Sequence, residues 1–270
     1  MKIPGIIITC ALLLSISIFT VQGQGPSADE YARLAEESNK NSNRDAAVEF
    51  YEKAAAEFQR LGNVEKLVNS YNQIGIILTR QDKYERARSF LDKALATGLA
   101  SLPADDPLIA TTYLSLGVVD SAEGKFDQAL VNHEKALKIR LKRFGESSAD
   151  VATSYGNIGN VHFRLKDYDK AIEIHAKAMR IREKVFGKDG PQIVESYRGL
   201  GNAYRKKKEY KKALSYFEMA LANKIKQLGE GHKDLVRNYN DVRQVYALMG
   251  NSQKADEYKA KVEQIEGIPK

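Results

Sequence analysis

Cysteine occurs once in these 270 residues, at Cys10. A lone cysteine excludes a disulfide framework and any zinc site built on paired thiolates. Histidine is also scarce. His133, His162, His175 and His232 are the only four, and none has a His or Cys partner at metal-ligand spacing. No Gly-x-Ser-x-Gly elbow, His-Glu-x-x-His helix or Walker loop is present. The glycines of Gly199-Leu200-Gly201-Asn202 belong to a longer pattern and follow no strand. Asp105-Asp106 sits between Pro103 and Pro107 as a turn. These absences leave no catalytic, metal or cofactor site to expect. Asn-x-Ser/Thr is missing as well, so N-glycosylation is not expected.

Long apolar runs are absent except at the start. Met1-Lys2 leads into Ile6–Phe19, closed by Thr20-Val21-Gln22-Gly23-Gln24. This order fits a secretory signal peptide over residues 1–23, cleaved after Gly23. The alternative is a membrane anchor over residues 3–21. A helix over Ile6–Phe19 would span only about 21 Å against a hydrocarbon core of ~30 Å. Cys10 follows Thr9 and precedes most of the apolar run, which argues against lipid attachment. Cleavage would leave a cysteine-free exported chain held together by packing alone, either periplasmic or secreted.

What is present is a repeat. Tyr71, Tyr113, Tyr155, Tyr197 and Tyr239 recur every 42 residues, and Gly75, Gly117, Gly159 and Gly201 follow the first four at a fixed offset. Further on come Ala87, Ala129, Ala171 and Ala213, then Ala94, Ala136, Ala178 and Ala220. Tyr84, Phe126, Tyr168 and Tyr210 mark short polar turns such as Lys166-Asp167. A period of this length implies stacked supersecondary units and an extended surface, not a closed pocket. A helical glycine costs roughly 1 kcal/mol relative to alanine, so the four glycines are expected where helices approach closely, with the following alanine facing them. His133 and His175 fill one repeat position, held elsewhere by Leu91 and Phe217, and are expected to pack.

Tyr155-Gly156-Asn157-Ile158-Gly159-Asn160 with Asp167-Tyr168-Asp169-Lys170-Ala171 resembles the tetratricopeptide repeat, two antiparallel helices per unit. The usual period is shorter, and the surplus falls in Leu137–Gly145, Met179–Gly187 and Leu221–Gly229, each closed by an apolar residue and glycine. That arrangement resembles the 42-residue type of kinesin light chains. The resemblance implies an all-α, right-handed α-solenoid over residues 24–270. Six units are expected, at about 28–65, 68–107, 108–149, 150–191, 192–233 and 234–266. The first is degenerate, with Ala47 and Ala54. The last carries Arg243, Ser252 and Val262 at the glycine, aromatic and alanine positions, and residues 237–266 read as a cap.

In this family the inner groove is lined mainly by first-helix positions. Carried onto the late units, these give Asn160, Arg164, Arg198, Asn202, Arg205 and Lys206; the earlier groove is more apolar, with Ile76, Leu114 and Val118. Asparagine pairs with extended backbone, and arginine grips a carboxylate bidentately. The implied role is a non-enzymatic scaffold for a protein or peptide partner, acidic segments among them. Replacing Arg164, Arg198 and Arg205 is expected to weaken partner capture and spare thermal stability. The family's carboxylate clamp is only partly matched, because Asp241 stands where a second asparagine belongs. Two other readings remain. The net charge of +7 and the run Arg205-Lys206-Lys207-Lys208 with Lys211-Lys212 suit an anionic polymer or lipid, though export argues against nucleic acid. A detached relative of sensor-kinase ectodomains is the other.

Overall fold

The computed structural model describes residues 25–267, so the apolar start and its signal or anchor reading lie outside the described residues. Among the described residues there are twelve α-helices, and no strand. The fold is all-α, as the repeat requires. The chain divides into two compact units, one ending at Leu102 and the other beginning at Pro103.

The first unit holds α1 (Ala28–Lys40), α2 (Arg44–Arg60), α3 (Val64–Thr79) and α4 (Tyr84–Ser101). Successive helices pack on one another, α1 with α2, α2 with α3, and α3 with α4. Ser27, Asn43 and Asn63 each accept a backbone N–H of the first turn of α1, α2 and α3, which satisfies donors that a helix start leaves orphaned. In the degenerate first repeat, Ala35, Ala47 and Ala54 are fully buried.

The second unit holds α5 (Pro107–Ala122), α6 (Phe126–Phe144), α7 (Ala149–Arg164), α8 (Tyr168–Phe186), α9 (Val194–Lys206), α10 (Tyr210–Leu228), α11 (Val236–Leu248) and α12 (Ser252–Glu266). Short 3-10 turns at Pro191–Ile193 and Lys233–Leu235 lead into α9 and α11. Each helix again packs on the next. The long helices α6, α8 and α10 stop where Gly145, Gly187 and Gly229 take φ of 73°, 75° and 80°. Only glycine enters that region without strain, so the apolar-glycine endings act as helix stops. The repeat alanines Ala87, Ala94, Ala129, Ala136, Ala171, Ala178, Ala213 and Ala220 are all fully buried.

The helical glycines lie at close approaches, but the atoms facing them differ from the expectation. A Cβ on Gly75 would meet Leu91 at 2.5 Å, on Gly117 His133 at 2.5 Å, on Gly159 His175 at 2.9 Å, and on Gly201 Phe217 at 2.8 Å. The partner is therefore the large side chain one helical turn beyond the alanine. The alanine lets the helices approach; the glycine gives the large residue its seat. His133 and His175, 1% and 3% exposed, occupy that seat as core residues. The terminal repeat closes the unit with Tyr239, Val242, Val245 and Val262, which cover Phe217 and Leu221.

Candidate functional site

The late repeats of the second unit meet in a cleft of about 310 Å³. Helix α7 supplies Thr153, Gly156, Asn157 and Asn160; α8 supplies His175 and Arg182; α9 supplies Glu195, Arg198, Gly199 and Asn202; α11 adds Arg237. Three of the six groove residues read from the sequence, Asn160, Arg198 and Asn202, are thereby brought together. Arg164, Arg205 and Lys206 do not line it.

The cleft's charged members differ in freedom. Arg198 is 5% exposed, and its Nε donates to Asp241 Oδ2 at 2.8 Å. Its Nη1 lies 3.7 Å from Glu195. Asp241 thus has a structural reason to stand where a clamp asparagine was missed: it neutralises a buried guanidinium. This also revises the expectation that Arg198 can be removed at no cost to stability. Arg205 donates from Nη2 to Asn202 Oδ1 at 2.8 Å and lies 5.7 Å over the Phe217 ring. Burial lowers its pKa, partly opposed by Asp241. Arg164 is exposed and sits 5.5 Å over Phe126. Asn160 and Lys206 are exposed.

Sequence reasoning missed Arg182, Glu195 and Arg237, and assigned His175 to packing alone. Arg182 escaped because only first-helix positions were considered, and it stands on a second helix. A signal was available: Arg140 and Arg182 are 42 residues apart, as are Ser154 and Ser196. The structure pairs them, Arg140 Nη1 donating to Ser154 Oγ at 3.1 Å and Arg182 Nη1 to Ser196 Oγ at 2.5 Å. Burial lowers the pKa of both arginines. Burial likewise pushes the His175 imidazole down to about 4, with Arg182 adding to the effect.

Part of the basic run is taken up within the protein. Lys207 reaches Asp169 at 2.5 Å and Glu209 at 3.3 Å, and Lys212 reaches Glu209 at 2.6 Å. Among the described residues no three His, Cys, Asp or Glu side chains gather as a metal site. Among the same residues, no helix is long and apolar enough to cross a membrane.

A fold of stacked helix pairs with a side-chain-lined cleft defines a helical-repeat protein. The tetratricopeptide repeat model matches residues 67–142 and 150–226, and the chain belongs to that family. No curated protein matches it significantly. Among solved structures, BtubC (BKLC) from P. vanneervenii is similar with a TM-score of 0.69 at 23% identity, over 88% of this chain and 91% of that one. The kinesin light chain TPR-like repeats from Podosopora anserina give 0.63 at 18% identity, over 74% and 94%. The apo form of RapI gives 0.66 at 15% identity, over 97% and 90%. At these identities the likeness is one of fold.

Proposed function

We propose that this chain is an exported, non-enzymatic scaffold whose second unit binds an extended, acidic segment of a partner protein. The observation that carries the reading is the convergence of Asn160, Arg198 and Asn202 with Asn157, Arg182 and Arg237 in one cleft. Amides there offer paired donors and acceptors to an extended backbone, and the guanidinium groups of Arg182 and Arg237 answer carboxylates. The family's general use as a protein-binding scaffold agrees with this. Export rests on the residues 1–23 signal alone, and N-terminal sequencing of the native protein should begin at Gln24.

The test is fluorescence anisotropy with a library of labelled acidic peptides, read at low and high salt. A discrete set should bind, retain most of its affinity in salt, and weaken about tenfold with Asn160→Ala/Asn202→Ala, roughly 1.4 kcal/mol. Binding that collapses in salt and ignores peptide sequence would favour the polyanion reading instead. That alternative draws on the Arg205–Lys208 run, of which Lys207 is already paired.

A further inference from the structure

Two glycines in this cleft are not part of the repeat. At the position of Gly156 the other units carry Asn72, Leu114, Arg198 and Asn240; at that of Gly199 they carry Gln73, Ser115, Asn157 and Asp241. Gly199 has a packing reason, because a Cβ there would lie 2.6 Å from His175 Nδ1. Gly156 has none. Its nearest neighbour would be Arg182 Nη2 at 3.5 Å, an ordinary contact, so a Cβ would be tolerated. A glycine inside α7 is unfavourable relative to alanine, and packing does not repay it. What the missing side chain does is leave space beside the Arg182 guanidinium.

His175 forms the wall of the cleft on the Gly199 side. His175 is 3% exposed, lines the cleft, and its Nδ1 has no hydrogen-bond partner.

We propose that the gap over Arg182, bounded by Gly156, Gly199 and His175, is a subsite for a single carboxylate carried on a ligand the size of one amino acid. The inference rests on the reading of this cleft as the partner site and specifies what that site grips. Its donors differ from the groove positions of the first helices: they are Arg182 on α8 and Arg237 on α11, with the Asn157 amide beside them. A planar guanidinium fork matches a carboxylate. Glu195 at the same cleft adds a like charge that disfavours a polyvalent anion such as phosphate, and it accepts from an N–H of the ligand. A cleft of about 310 Å³ lies at the small end of ligand sites, which suits one residue and not a helix.

The test uses Gly156→Leu, which restores the residue type of Leu114 at this repeat position and fills the gap. Calorimetric titration of the full chain with N-acetylglycine, which carries one carboxylate and one N–H, should saturate, and neutral N-acetylglycinamide should bind at least tenfold more weakly. Gly156→Leu should lose at least tenfold in N-acetylglycine affinity with no fall in melting temperature, and Arg237→Ala should lose several-fold. The His175 imidazole ¹⁵N signals should move on titration in the native chain. N-acetylglycine binding unchanged by Gly156→Leu, or inorganic phosphate binding as tightly as N-acetylglycine, would overturn the proposal. Terminally blocked Ala-Glu-Ala identifies the source: binding it like N-acetylglycine assigns the carboxylate to a partner's side chain, and binding only N-acetylglycine assigns it to a small molecule. If acidic peptides bind the cleft but ignore Gly156→Leu, the subsite falls and the scaffold reading stands. If they also ignore Asn160→Ala/Asn202→Ala, both fall.

Discussion

A neutral imidazole sits in two of the repeat's seats that elsewhere hold leucine and phenylalanine, and this gives the protein an acid-sensitive core. His133 and His175 are pushed down to about 4 from an ordinary 6.5, chiefly by burial. Between those values the unfolded chain takes up protons that the buried rings refuse. Stability therefore falls as pH drops from about 6.5 to about 4, and levels off below. At pH 5 each ring contributes a loss on the order of 2 kcal/mol. His133→Leu, the shape Leu91 already provides, should flatten the pH dependence of urea unfolding across that window; an unchanged slope would mean the ring gains protons without strain. The same seats make Gly159→Ala costly, because its Cβ would press on His175 at 2.9 Å. A loss of about 1–3 kcal/mol is expected by denaturant titration. For Arg198→Ala the cost is electrostatic. It strands Asp241, whose side chain is 15% exposed, and should lower stability by on the order of 3 kcal/mol. Arg164→Ala, by contrast, should leave the melting temperature within experimental error, since that side chain is exposed.

At the scale of the element, the turns within repeats share one backbone conformation. Asp82, Gly124, Lys166, Lys208 and Gly250 stand 42 residues apart and take φ of 59°, 79°, 64°, 64° and 75°. Two of the five are glycine; the others hold a left-handed conformation that costs an L-residue roughly 1–2 kcal/mol. Lys208→Gly should accordingly raise stability by about 0.5–1 kcal/mol, the unfolded chain's added freedom offsetting part of the gain. Its melting temperature checks this, and a decrease would show that the lysine side chain contributes more than its backbone costs. The helix ends follow the same logic. Gly145, Gly187 and Gly229 set the length of α6, α8 and α10, so the 42-residue period is a long second helix with a fixed stop.

At the scale of the molecule, each repeat buries its apolar side against the next within its unit, and a terminal repeat must replace the missing neighbour. In the second unit α11 and α12 do this over Phe217 and Leu221, with Tyr239, Val242 and Val262. Ending the chain at Leu235 should expose that face and give a protein that aggregates on mild heating, measurable by light scattering. A truncated chain that stays monomeric with an unchanged melting temperature would deny α11 and α12 their capping role.

The tyrosine, glycine and alanine columns by themselves determined the all-α fold of packed helix pairs, because a repeat states each packing requirement several times over. The same columns placed His133 and His175 in the core. Three of the candidate site's eleven lining residues, Asn160, Arg198 and Asn202, were legible in this way, since first-helix positions follow the period. Tertiary structure decided the rest. Whether an arginine is free or bound depends on residues far along the chain: Arg198 meets Asp241, 43 residues on, while Arg182 meets Ser196 and opens beside Gly156. Spacing shows which residues share a face. Charge pairing, burial and the gap left by one absent side chain are set only when α7, α8, α9 and α11 come together.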